Sequence, residues 1–215
     1  MRYQDLIERG LTPQIQQFID DARSGAMKFE NYHLFNMLNI KYFKYNEEAN
    51  GVISNPTPNG AAWFVSKVNK ANNPDEEMAN LLSINTKTTA VVDVSRFPIT
   101  KTDYEIDSSA TIQLTEYDPH HANYIVNTSK ESFIVFSEVY YPEWKVTING
   151  KEANMLTANY LLRGLVVPAG KSEIKFEFVP ALYQKWRSIT TIAQWLTFIC
   201  IIVGIGLSIK NKETA

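Results

Sequence analysis

Along the chain, apolar residues recur at helical spacing near the start, alternate at strand spacing in the middle, and run unbroken at the end. The stretch LTPQIQQFIDDARSG predicts a helix. Thr12 is placed to cap it, Pro13 suits its first position, Ile15, Phe18, Ile19 and Ala22 recur on one face, and Gly25 closes it. NYHLFNML predicts a second short helix through Leu34, Phe35 and Leu38, and IKYFKY a strand. NGVISNPTPNG, dense in Asn, Pro and Gly, predicts a loop, and AAWFVSKV the next strand. In NNPDEEMANLL, Asn73 caps a helix, Pro74 takes the first position, and Asp75, Glu76 and Glu77 face the positive end of the dipole. A charged first turn accounts for these acids better than a metal or catalytic cluster. KTTAVVDV predicts a further strand. RFPITKTDYEIDSSA predicts a linker or long loop, with a domain boundary near Asp107.

From Ala110 to Pro180 the pattern changes to short strands separated by turns. ATIQLTE puts Ile112 and Leu114 on one face, and ANYIVNT does the same with Tyr124 and Val126. SFIVFSEVYY is apolar on both faces, as a central strand is. WKVTINGKE sets Trp144, Val146 and Ile148 against Lys145 and Thr147, and its Asn149-Gly150 pair is a strong hairpin signal. Two more strands flank a Pro-Ala-Gly-Lys turn, the last with Ile174, Phe176 and Phe178 on one face. This rhythm predicts a small antiparallel β-sandwich.

Residues 188–209 hold no charge across twenty-two positions. At about 1.5 Å per residue they span roughly 33 Å, enough for a ~30 Å hydrocarbon core. A buried core helix is the competing reading, but such helices rarely run past about 18 residues without a charge. Trp186 and Trp195 suit a membrane interface. Lys185 and Arg187 precede the run and Lys210 and Lys212 follow it, so charge does not set orientation. The expected organisation is thus an α+β N-terminal part (1–107), a small antiparallel β-sandwich (108–180), a short linker (181–187), one C-terminal transmembrane helix (188–209) and a tail (210–215). The linker's shortness would hold the sandwich near the bilayer. The first residues, MRYQDLIERGLTPQI, lack the basic start and apolar run of a signal peptide. Either the body is cytoplasmic and tail-anchored, or the chain is the end of a longer membrane protein.

Composition narrows the chemistry. The 215 residues carry a net charge of −2 with both signs interspersed, which argues against a nucleic-acid partner. The one cysteine, Cys200, lies in the uncharged run and cannot form an intramolecular disulfide. His33, beside an apolar run, reads as a packed or solvent-edge histidine. His120 and His121 read as a loop pair rather than a metal site. No Ser-His-Asp set, phosphate loop or cysteine cluster appears, so no catalytic residue, metal or cofactor is expected in this chain. Six residues are candidates for ligand binding. Tyr140, Tyr141 and Trp144 form an aromatic group at a strand end, suited either to stacking on the C–H face of a pyranose or to the core of a small β domain. Arg163, on the face of Leu161 and Leu165, either pairs with a buried acid or reaches a phosphate or carboxylate. Asn159 and Tyr160 predict a turn.

The stretch from Val139 to Pro180 resembles the C-terminal end of the YfhO family of bacterial membrane proteins. The resemblance rests on Tyr140-Tyr141-Pro142 with Trp144, Asn149-Gly150, Asn159-Tyr160, Arg163-Gly164 and the Val167 to Gly170 turn. FNMLNIKYFKY, NPTPNGAAWFV and NNPDEEMANLL also look like that family's last external region, while Glu143 stands where members often have Gly. The resemblance implies a long multi-spanning parent similar to GT-C glycosyltransferases, which glycosylates envelope polymers from an undecaprenyl-phosphate sugar. Its candidate catalytic acids lie upstream, and no residue here corresponds to them. It further implies a body outside the bacterial cytoplasmic membrane and a cytoplasmic tail. The partners would be the bilayer, upstream membrane helices, and lipid-linked sugar or envelope polymer. The alternatives are a stand-alone membrane-anchored β-sandwich that binds envelope glycans or proteins, and a soluble intracellular enzyme with a terminal core helix.

Overall fold

The computed structural model describes residues 2–45 and 51–213, with side chains described throughout except at 181–185, 188 and 205–213. The chain divides into two compact units, Met1–Glu177 and Phe178–Ala215.

The first unit begins with Arg2–Leu6 (α1), a π-helical turn Ile7–Leu11, and Thr12–Ser24 (α2), which follow without a break. Leu11 and Thr12 both have helical backbone, so Thr12 lies inside the helix and does not cap it. Pro13 lacks the N–H that would close a helical bond to Arg9, and the wider turn just before it absorbs that loss. Gly25 ends α2 in the left-handed region, at φ 71°. The buried face differs from the expected one: Ile15 and Ile19 are exposed and Gln14 is buried. Gln14 Oε1 accepts from the backbone N–H of Leu34 and of Phe35, each at 3.1 Å. These groups open His33–Met37 (α3) and have no partner within so short a helix. Phe18 stacks at 4.4 Å on Phe43 of Tyr42–Lys44 (β1).

β1 pairs antiparallel with Val52–Ser54 (β2), a strand inside the segment expected as loop. The run AAWFVSKV divides at Ser66 into Ala62–Val65 (β3) and Lys67–Ala71 (β4), which enter different sheets. β4 pairs in parallel with Thr89–Asp93 (β5). Parallel neighbours need a crossover, and Pro74–Ser83 (α4) supplies it. Its cap is as expected: Asn73 Oδ1 accepts from Glu76 N–H at 2.9 Å, with Pro74 in the first turn. The stretch after β5 is a pinned loop. Val68 N–H donates to the Thr102 carbonyl at 2.7 Å, Tyr104 N–H to that of Ser66 at 2.8 Å, and Tyr104 is buried.

Eight strands follow: Thr111–Asp118 (β6), His121–Thr128 (β7), Ser132–Val139 (β8), Trp144–Ile148 (β9), Lys151–Ala153 (β10), Leu156–Ala158 (β11), Leu162–Val167 (β12) and Gly170–Phe178 (β13). They build a five-stranded sheet, β10-β9-β13-β7-β6, and a four-stranded sheet, β11-β12-β8-β3. The mixed α and antiparallel-β class is as expected. The four-stranded sheet also takes β3 from before Asp107, so it crosses the boundary anticipated there. Between the sheets pack Tyr124, Val126, Ile134, Phe136, Val146, Leu165, Ile174 and Phe176. Phe136 meets the Phe176 ring at 4.8 Å and the Tyr124 ring at 5.0 Å. The far side of the four-stranded sheet, through Phe133, Val135, Leu156 and Ala158, joins a second core with Trp63, Val68, Met78, Leu81 and Val91. β8 thus alternates between two cores, which explains its unbroken apolar run. Leu114, expected on one face with Ile112, is exposed on β6 at the sheet edge.

The second unit carries Ala181–Glu213 (α5), so the expected linker 181–187 is helical. Among the described residues no helix is long and apolar enough to cross a membrane. The transmembrane helix expected over 188–209 is therefore not found among them. Side chains at Ser188 and at 205–209 lie outside the described residues, which leaves 189–204, roughly 24 Å of helix against a ~30 Å hydrocarbon core.

Candidate functional site

The six candidate residues gather around the start of β12, in two sets on opposite faces of the four-stranded sheet. The first set is the turn between β11 and β12. Asn159 and Tyr160 both have positive φ, 51° and 70°, as the expected tight turn requires. A left-handed tyrosine is costly and persists only when its surroundings hold it. Here they do. Asn159 Oδ1 accepts from Val91 N–H at 3.0 Å and Asn159 N–H donates to the Val91 carbonyl at 2.9 Å. Tyr160 N–H donates to Glu77 Oε1 at 3.0 Å, and its hydroxyl is hydrogen-bonded to Asp5. Burial first, then the Asp5 hydrogen bond, pushes the Tyr160 phenol up to about 12.

Arg2 completes this cluster, and nothing in the local pattern singled it out. Its guanidinium lies 4.6 Å over the Tyr160 ring, donates to the Tyr160 carbonyl at 2.8 Å, and pairs with Glu77 at 2.6 Å and Asp93 at 3.3 Å. Glu77, expected as a solvated first-turn acid, is fully buried. Burial raises its pKa, and Arg2 opposes that rise. The signal was absent because the partner lies 75 residues away. Every member of the cluster is engaged by another, so its chemistry is that of a clasp between α1, α4, β5 and the β11–β12 turn.

The second set is Arg163 with Trp144 and Tyr141, whose carbonyl accepts from Trp144 N–H at 3.1 Å; Tyr140 turns instead to the core of the first set. Arg163 shares a face with Leu165 but not with Leu161, which lies in the turn before β12 and joins the other core; the β-bulge opposite falls on β8, at Ser137 and Glu138. The guanidinium stacks 4.0 Å from the Trp144 ring centre and 5.3 Å from that of Phe176. Its Nε donates to the Val139 carbonyl at 3.1 Å, and Nη2 lies 4.0 Å from Glu138. Burial lowers its pKa, and Glu138 opposes this. The Arg163 side chain is only 3% exposed, so it braces Trp144 rather than reaching outward. Glu138 in turn acts on Tyr117, raising its pKa by charge and hydrogen bonding. Tyr140 packs edge-on against Phe97 at 5.5 Å, and Tyr141 is 52% exposed. The outward face of this end is therefore Tyr117, Glu138 and Tyr141.

His121 lies 3.0 Å from Glu116 and 3.4 Å from Asp118 at the β6–β7 turn. Among the described residues no group of three or more His, Cys, Asp or Glu is placed to hold a metal.

Two antiparallel sheets, backed by a βαβ layer and carrying a clasped left-handed turn beside a buried arginine–tryptophan stack, define a mixed α and antiparallel-β module. Residues 82–190 match the family model described as bacterial membrane protein YfhO, and this is just over half of the chain. The chain belongs to the YfhO family. No curated protein and no solved structure matches it.

Proposed function

We propose that this chain is the non-catalytic extracytoplasmic C-terminal region, with the last membrane helix, of a multi-spanning YfhO-family protein in the bacterial cytoplasmic membrane. The parent transfers sugar from a lipid-linked donor to a cell-envelope polymer. The observation that carries this reading is the reach of the family match, which runs from the end of α4 through β5 to β13 and into α5. The uncharged run 188–209 supports the span, because a segment of that length is unfavourable in water and fits a hydrocarbon core. In this reading the Tyr117, Glu138 and Tyr141 face, stiffened from below by Arg163 and Trp144, helps hold lipid-linked sugar or acceptor polymer.

The test has two arms. Protease added to intact spheroplasts digests the body if it faces outward, and a blot with antibody against residues 1–180 shows a band far above the mass of this chain. Protection until lysis overturns the sidedness. A band at the chain's own mass favours the stand-alone anchored module instead. Tyr141→Ala with Trp144→Ala in the parent is expected to lower polymer glycosylation about tenfold, the size of one lost stacking contact in a sugar site. Full activity removes the contact role. Arg163 is kept in this variant because its loss empties a buried site.

A further inference from the structure

Apart from both sets, a cleft of about 410 Å³ opens between the loop after β2 and the turn before β5. Binding pockets fall in the range of about 300–1,000 Å³. One wall is the NPTPNG segment, whose amides and hydroxyls are spent on one another and on Asn36 and Ile40. Asn55 Nδ2 donates to Asn36 Oδ1 at 2.9 Å and to the Ile40 carbonyl at 2.7 Å. Thr57 N–H donates to Asn55 Oδ1 at 3.0 Å, and Asn59 N–H to the Asn36 carbonyl at 2.8 Å. Thr86 closes the far side, its hydroxyl donating to the His33 carbonyl at 2.9 Å while its own carbonyl accepts from Trp63 Nε1 at 2.8 Å. The wall is therefore fixed before anything binds.

What the cleft presents is one charge of each sign. Glu30 and Lys87 both line the cleft, yet among the described residues neither forms an ion pair. Lys87 Nζ is held by the Asn59 carbonyl at 3.0 Å, which leaves donors on the ammonium. The cleft partly desolvates the ammonium and so pulls its pKa below that of an ordinary lysine, although the residue as a whole is exposed. Asn85 Oδ1 accepts from Lys87 N–H at 2.9 Å, so that amide contributes its NH₂. Pro56 and Pro58 add two saturated ring surfaces.

We propose that this cleft binds a neutral pyranose, its hydroxyls bridging the unpaired Glu30 carboxylate and Lys87 ammonium while its C–H face lies on Pro56 and Pro58. A hydroxyl both donates and accepts, so one ring satisfies the acid, the ammonium and the Asn85 amide together. An anionic ligand would satisfy Lys87 but face Glu30, and a cationic one the reverse. The inference rests on the function proposed above for the biological source of the sugar, not for the binding itself.

The test uses the full chain, ¹⁵N-labelled, in a zwitterionic detergent free of sugar. Methyl glucoside, methyl galactoside and methyl N-acetylglucosaminide are titrated separately, and amide shifts are read. Saturable shifts are expected at Asn59, Asn85, Thr86 and Lys87 with at least one of them. Glu30→Gln and Lys87→Met, both at exposed positions, should each weaken binding by about tenfold or more. Lys151→Ala, exposed on β10 and outside the cleft, should leave it unchanged. Absence of saturable shifts overturns the proposal. So do shifts centred on Tyr141, equal binding by both variants, or displacement by millimolar inorganic phosphate. None of these outcomes moves the protease result, so this site and the broader function fail separately.

Discussion

Arg2 and Glu77 form a charged contact with Glu77 out of water and Arg2 reaching it from the rim. Such a pair is worth little against an apolar replacement but costs dearly when one partner is lost, because the other charge stays buried. Arg2→Met is expected to destabilise the protein by about 3 kcal/mol, read from the urea midpoint. Adding Glu77→Gln should recover part of that loss. A loss in the double variant as large as in the single one would mean that Arg2 acts mainly through Asp93 and the Tyr160 carbonyl. At this scale the sequence was half legible. Asn73, Pro74 and the acids behind them announced a helix start correctly, since capping is decided within four residues. Burial of Glu77 is decided by the residue that folds back onto it, and no local pattern contains that.

At the level of elements, periodicity served best where a strand meets one environment per face. β9 and β13 alternate as written, with Val146, Ile174 and Phe176 buried. It served least well on α2, where a polar side chain took the inward position because α3 needed an acceptor at its start. β2 is three residues long and framed by breakers, too short to show a period. β12 carries the sharpest constraint. Its Gly164 faces the second core, where an added Cβ would stand 2.6 Å from Leu156 Cδ1, 2.9 Å from Phe133 Cζ and 3.0 Å from Ala158 Cβ. Gly164→Ala should therefore cost about 1–3 kcal/mol by overpacking, seen as a lower urea midpoint at unchanged slope. A neutral result would mean that β11 yields to the extra methyl. The Arg163-Gly164 step thus joins two demands on adjacent residues, a cation on one face and no side chain on the other.

For the molecule as a whole, the four-stranded sheet is shared property. Residues 108–180 read as a self-contained sandwich, but that segment alone would lose β3 and bare Phe133, Val135 and Leu156. A fragment of 108–180 is expected to bind hydrophobic dye and lack cooperative unfolding, whereas 1–180 should unfold in one transition. Cooperative unfolding of the shorter piece would restore the boundary near Asp107. The long-range pairing behind this arrangement lies beyond any reading of local period, since β3 and β8 are about seventy residues apart in the chain. One last consequence concerns mechanics. The chain leaves the first unit through β13, which is the middle strand of its sheet, bonded to β7 from Gly170 to Glu177 and flanked by β9. A pull on the polypeptide beyond Pro180 loads those ladders in shear, many bonds at once, instead of peeling an edge one bond at a time. The body is thereby built to withstand tugging from its C-terminal end.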